Sequence, residues 1–115
     1  MAYPDSPLRG EVLRLLGDAR EALGAPAAAR AAWQRARREA PEGESRAALD
    51  LAIAESFERS GSDWEASRTY LAAWTEAPTS EAAKTAEKAL RRLEDRSGKS
   101  LRTPLQLAKR ARAFY

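Results

Sequence analysis

The chain has 115 residues, which is enough for one domain with a modest core. It contains 26 Ala but a single Val and a single Ile, so strand-favouring residues are scarce and helix formers dominate. Cys and His are both absent, which excludes disulfides, thiolate nucleophiles and zinc sites built from those residues. The composition therefore predicts an all-α fold, and we expect no metal and no cofactor.

The net charge of +3 is unevenly distributed. Residues 96–115 hold six basic side chains and no acidic one, whereas residues 1–95 hold 14 basic and 17 acidic ones. The basic character belongs to the tail, so we do not expect nucleic-acid binding. No apolar run is long enough to cross a bilayer, and the N-terminus does not resemble a signal peptide. We expect no membrane insertion and a cytoplasmic location as written, or a periplasmic one if this is a fragment whose signal peptide was removed.

Helix signals follow one another regularly along the chain. The first helix begins after the Ser6-Pro7 start signal, carries an apolar series from Leu8 to Leu23, and ends at Gly24. A second helix runs from Pro26 to Pro41. The third begins near Ser45 and ends at Gly61, and the fourth begins at a capping box of Ser62 and Glu65 and ends before Pro78. The apolar series of the first helix comprises Leu8, Val12, Leu15, Leu16, Ala19 and Leu23.

Two further helices are predicted toward the C-terminus. The fifth runs from about Ser80 to Arg96 and is broken by Gly98, and Thr103-Pro104 begins a sixth. The sixth has an apolar stripe with no later element to cover it, so it can pack on the fifth helix, on a continuing chain or on a second subunit. We predict self-association through this stripe, which comprises Leu105, Ala108, Phe114 and Tyr115.

A repeat with an offset of 37 residues connects the first two helix pairs. Trp33 recurs as Tyr70, and Pro41 recurs as Pro78. The same offset relates Gly24 to Gly61, Ala29 to Ala66 and Ala36 to Ala73. A repeat of this length made of two helices is typical of an α-solenoid.

The spacing of small and large residues resembles the tetratricopeptide repeat (TPR) family. The first unit carries the pattern in Leu13, Leu16, Gly17, Ala29, Trp33, Ala36 and Pro41, and the second in Ile53, Ala54, Phe57, Ala66, Tyr70, Ala73 and Pro78. The second unit departs from it with Ala54 in place of Gly and Asp50 in place of an apolar residue. The resemblance implies a right-handed superhelix of antiparallel helix pairs, with about six helices in one domain over 1–115. The pairs would span 7–41 and 45–78, and 80–97 with 103–115 would form a cap or a partial third pair.

In TPR proteins the first helix of each pair lines a concave face that binds peptides. By position, that face here comprises Glu11, Arg14, Asp18, Glu21 and Ala22 from the first unit, and Ala48, Leu51, Glu55, Glu58 and Arg59 from the second. The set is mainly acidic, so the resemblance implies a partner protein or peptide that is basic or amphipathic. The alternative is that these charges only keep the helices soluble.

Catalytic interpretations are weaker. Ile53-Ala54-Glu55-Ser56-Phe57 is similar to the catalytic segment of lytic transglycosylases, but the stretch that should follow it is missing. Glu55 and Glu58 could also form a carboxylate pair, although no apolar pocket is evident around either. Arg30, Arg35, Arg37 and Arg38 are best explained as solvated surface. We therefore expect no catalytic residues and no enzyme activity.

Taken together, the sequence predicts a non-catalytic protein–protein interaction module, a TPR-like scaffold or adaptor. The alternative is a helical accessory domain of a bacterial cell-envelope protein, such as a lytic transglycosylase or an envelope-assembly lipoprotein. Residues Trp74 to Leu93 resemble the helical regions of such proteins.

Overall fold

The computed structural model describes residues 8–97, which form five α-helices and, within that range, no strand. The helices are α1 (Leu8–Ala22), α2 (Pro26–Glu39), α3 (Glu44–Arg59), α4 (Asp63–Glu76) and α5 (Glu81–Ser97). The all-α prediction is confirmed for this part of the chain. The predicted sixth helix, its self-association residues and the Ser6-Pro7 start signal lie outside the described residues.

The predicted glycine ends of α1 and α3 are confirmed, and both turns have the same geometry. Gly24 and Gly61 adopt φ of +81° and +82°, a left-handed conformation that glycine accepts without a Cβ penalty. In the first turn the Ala25 amide donates to the Arg20 carbonyl, and in the second the Ser62 amide donates to the Phe57 carbonyl. Both bonds span five residues, as in a Schellman motif, and they satisfy carbonyls at the helix end.

The capping box predicted at Ser62 and Glu65 is wrong, because the Ser62 side chain makes no capping hydrogen bond to α4. A side-chain cap is found instead at α5. There the Ser80 hydroxyl accepts a hydrogen bond of 3.1 Å from the Ala83 amide, and Ser80 itself is buried. A serine therefore caps α5, whose start near Ser80 was predicted without a cap.

Close contact between α1 and α2 depends on Gly17 and Trp33. A Cβ atom added at Gly17 would overlap the indole ring of Trp33, which is only 3% exposed. The indole nitrogen donates to the Arg14 carbonyl at 3.2 Å and to Asp18 Oδ1 at 3.1 Å, so the ring is held in place. A small residue facing a large aromatic one is the packing that the sequence predicted for this pair.

Two apolar clusters form the core. The first joins α1, α2 and α3 around Trp33 and Ile53, and the second joins α3, α4 and α5 around Tyr70 and Leu90. Phe57 packs against both clusters. The residues paired by the 37-residue offset, Ala29 with Ala66, Trp33 with Tyr70 and Ala36 with Ala73, are all buried. Each helix pair therefore contributes matching side chains to its own cluster, and Phe57 connects the two clusters.

Most of the apolar series of α1 does not face the core. Val12 is 61% exposed, Leu15 54%, Leu16 37% and Leu23 84%, whereas Leu13 is buried at 7%. Helical spacing identifies an apolar face correctly, but it does not show whether a partner element covers that face. The face that α1 turns to α2 is instead centred on Leu13 and Gly17.

Candidate interaction face

Two of the predicted partner-binding residues, Glu21 of α1 and Arg59 of α3, come together at the C-terminal ends of these helices. Glu21 of α1 accepts hydrogen bonds from Arg59 Nε at 3.0 Å and Arg59 Nη2 at 2.9 Å. It also accepts one of 3.0 Å from the Ser56 hydroxyl. Arg30 of α2 donates to the Ser56 hydroxyl at 2.9 Å and lies 4.4 Å from the centre of the Phe57 ring. This polar network connects the three helices and explains why Ser56, although fully buried, is satisfied.

The same arrangement recurs between α3 and α5. Glu58 accepts hydrogen bonds from the Tyr70 hydroxyl and from Arg92 Nη2, both at 2.7 Å, and from Arg96 Nη2 at 3.2 Å. Burial alone would raise the pKa of Glu58, but the hydrogen bonds from Arg92 and Tyr70 lower it below its ordinary value. Burial raises the pKa of the Tyr70 hydroxyl, and the hydrogen bond to the Glu58 carboxylate raises it further.

These two networks are related by the repeat. Glu58 lies 37 residues after Glu21, and Arg96 lies 37 residues after Arg59. In each case a glutamate near the end of the first helix of one pair is held by an arginine of the next pair. We call these two ion pairs, Glu21–Arg59 and Glu58–Arg96, the repeat locks. The 37-residue spacing of both partners is the sequence signal that could have identified them.

The repeat locks change the charge that this end of the face presents. The side chains of Glu21 and Glu58 are only 22% and 15% exposed, whereas those of Arg59 and Arg96 are 56% and 51% exposed. The carboxylates lie beneath the guanidinium groups, so the mainly acidic surface expected from the sequence does not hold here. Leu51 is partly buried against the second core cluster, and Glu55 borders the cleft beside Arg92.

The other end of the predicted face opens into a groove. It has a volume of about 500 Å³ and lies between the first half of α1, the end of α2 and the first half of α3. Its apolar part is formed by Ala36, Ala40, Ala48 and Leu49, and its polar part by Glu11, Arg14, Glu39 and Ser45. Glu11 and Arg14 pair with each other at 2.9 Å and are half-exposed. We refer to this cavity as the α1–α3 groove.

Ser56 and Glu58, which belong to the catalytic interpretations, are both hydrogen-bonded within the fold. The buried hydroxyl of Ser56 is occupied by Glu21 and Arg30. A general acid needs a raised pKa, whereas the hydrogen bonds from Arg92 and Tyr70 lower the pKa of Glu58.

Arg37 was assigned to solvated surface, and this assignment is wrong. Its Nε donates to Asp50 Oδ1 at 2.7 Å, and its Nη2 lies 3.4 Å from Glu76 Oε1. The Asp50 side chain is only 5% exposed. Burial raises the pKa of its carboxyl above the ordinary value, and the hydrogen bond from Arg37 offsets only part of this increase. Asp50 departs from the TPR-like pattern, and its charge is balanced by an arginine of the preceding helix pair.

The three tryptophans differ in exposure. Trp33 and Trp74 are each 3% exposed and belong to the core, whereas Trp64 is 55% exposed in the first turn of α4.

Within residues 8–97 no cluster of acidic side chains is arranged to hold a metal ion. No described helix combines the length and apolar character needed to cross a membrane.

Comparison with known proteins gives no match to this chain, whether among protein-family models, curated proteins or solved structures. The TPR resemblance therefore remains a prediction from the residues quoted above. What the structure adds is that residues 8–97 form five helices without a strand, and that Gly17 meets Trp33 where α1 packs on α2.

Proposed function

We propose that this protein is a non-catalytic interaction module of TPR-like architecture, which binds a segment of a partner protein in the α1–α3 groove. The observation that carries the proposal is the groove itself. A cavity of about 500 Å³ has the size of protein binding pockets and combines an apolar floor with a few polar groups. Two residues predicted from the sequence to bind a partner, Glu11 and Arg14, line it.

The groove also favours one kind of partner. Glu11 and Glu39 contribute two carboxylates, which pair with Arg14 at 2.9 Å and with Arg9 at 3.7 Å but stay 52% and 38% exposed by side chain. The apolar floor around Ala48 and Leu49 would accept an aliphatic or aromatic side chain. A segment with one apolar anchor and one or two basic residues complements both features. This agrees with the basic or amphipathic partner expected from the sequence.

A selection experiment tests the proposal. Random peptides displayed on phage are selected against the full chain, and the enriched peptides are measured by fluorescence anisotropy. The variant Ala48→Phe fills the groove from an exposed position, and Ala31→Phe adds the same ring at an exposed position of α2 that does not line it. We expect Ala48→Phe to weaken binding at least tenfold and Ala31→Phe to leave it unchanged. If no peptide is enriched, or if both variants bind equally well, the groove is not the binding site.

The alternative stated from the sequence, an accessory domain of a cell-envelope protein, remains a prediction. Catalysis would then lie outside this chain. Turnover of peptidoglycan by the chain alone, lost in Glu55→Gln, would instead establish an enzyme.

A further inference from the structure

The exposed apolar stripe of α1 is the periodic continuation of an interface that the chain makes twice within itself. Its members are Val12, Leu15, Leu16 and Ala19. Adding 37 gives Leu49, Ala52, Ile53 and Ser56 of α3, and adding 37 again gives Ala86, Ala89, Leu90 and Leu93 of α5. In α3 and α5 these positions pack on the helix pair that precedes them.

The burial values make the contrast plain. Ile53 and Leu90 are 3% and 0% exposed, but their counterpart Leu16 is 37% exposed. Leu15 and Val12 are more than half exposed, and Leu23 extends the stripe by another turn at 84%. An apolar surface of this extent on one helix is characteristic of a protein contact.

The repeat locks indicate that the apolar stripe of α1 is not covered by another repeat of the same kind. Arg59 and Arg96, which hold the glutamates of the preceding pairs, correspond by the 37-residue offset to Ala22 in α1. A preceding repeat that carried such a glutamate at the end of its first helix would bury it beside Ala22 without a cation, which is unfavourable. The contact surface of α1 is instead apolar at this position, so it fits a partner that has no carboxylate to be held there.

The charges beside the stripe point to α1 itself as the partner. On a helical projection, Arg9 and Arg20 flank one side of the stripe, and Glu11 and Asp18 flank the other. Arg9 also lies 3.7 Å from Glu39 of its own chain, and its side chain is 39% exposed. When two copies of a helix pair in parallel about a twofold axis, the opposite flanks of the copies face each other. Arg9 then lies level with the partner copy's Glu11, and Arg20 level with its Asp18, each within about 3 Å along the axis because the residues are two apart. An antiparallel pair would bring flanks of like charge together.

We propose that the chain forms a symmetric dimer in which the α1 stripes of two copies pack in parallel. Twofold dimers are the most common closed assemblies, and their interfaces are self-complementary. The stripe supplies the apolar centre, and the oppositely charged flanks fix the orientation. This contact is separate from the predicted C-terminal self-association surface and extends beyond the proposed peptide-binding function.

The first test is the mass of the full chain by light scattering over a concentration series. We expect the mass to rise from 12.6 kDa toward twice that value. Leu15→Glu should return the protein to monomer, and Trp64→Glu should not, although the two side chains are almost equally exposed at 54% and 55%. Circular dichroism checks that both variants remain helical. A wild type that stays monomeric at every concentration overturns the proposal. So does a dimer that survives Leu15→Glu or that is abolished by Leu105→Glu alone.

The second test concerns orientation. Arg9→Glu and Glu11→Lys each place like charges across both edges of the parallel pair at that level, so each variant alone should dimerise more weakly than the wild type. Mixing the two variants restores opposite charges at both edges, and we expect a heterodimer at least as stable as the wild-type dimer. If the mixture dimerises no better than either variant alone, the parallel arrangement is wrong.

Discussion

Replacing Gly17 by Ala tests whether the close contact between α1 and α2 determines the stability of the first helix pair. Within a helix, Ala is preferred to Gly by about 1 kcal/mol, so propensity alone predicts a gain in the free energy of unfolding. The added Cβ would, however, overlap the indole ring of Trp33. The ring cannot shift freely, because it is 3% exposed and its nitrogen is hydrogen-bonded to Arg14 and Asp18.

The magnitude follows from these opposing effects. Overpacking a well-filled core costs about 1–3 kcal/mol, and displacing the indole adds about 1 kcal/mol for weakened hydrogen bonds. After subtracting the gain in propensity, we expect Gly17→Ala to lower the free energy of unfolding by about 2 kcal/mol.

Gly10→Ala is the matched control, since its Cβ would lie 3.8 Å from the Glu39 Cβ, an ordinary contact. We expect that variant to be unchanged or more stable by about 0.5 kcal/mol. Urea denaturation followed by circular dichroism measures both. The packing argument fails if Gly17→Ala is as stable as the wild type or more stable.

Two further predictions concern buried charge. Arg37→Ala leaves Asp50 buried without its cation and should lower the free energy of unfolding by about 3 kcal/mol. This value is near the lower limit for breaking a buried ion pair, because the Arg37 side chain is itself 34% exposed. The exposed neighbour Arg38→Ala should change it by less than about 0.5 kcal/mol in the same denaturation assay, and equal effects would show that the Asp50 pair is unimportant. Because the pKa of Glu58 is lowered in the folded state, its contribution to stability is present above its ordinary pKa and is lost as the pH falls through the folded value. The stability advantage of the wild type over Glu58→Gln should therefore shrink as the pH falls below the ordinary glutamate pKa of 4.5, and an advantage that is constant with pH would contradict the assignment.

Local signals in the sequence were sufficient to predict the five helices of residues 8–97. The left-handed turns at Gly24 and Gly61 need glycine, so these residues marked the ends of α1 and α3 correctly. The buried positions of Ala29, Trp33, Ala66 and Tyr70 also followed from the repeat, because matching positions in successive units meet matching neighbours.

The electrostatic contacts were harder to predict because they depend on which helix lies beside which. Arg37 looked like one member of an exposed basic cluster, but the packing of α2 on α3 brings it to Asp50. Glu21 and Glu58 looked like free acids on a binding face, but the next helix pair supplies an arginine to each. Periodicity also could not show that the α1 stripe is exposed, since coverage depends on an element outside the helix.

The α1–α3 groove is tested most directly by titrating ¹⁵N-labelled protein with a selected peptide and following the backbone amide shifts. We expect the largest changes at Gly10, Ala48 and Leu49, which line the groove, and small changes near Arg92 and Arg96, where the carboxylates are covered. Changes confined to the arginine-covered end, or shifts that are the same in Ala48→Phe, would contradict peptide binding in the groove.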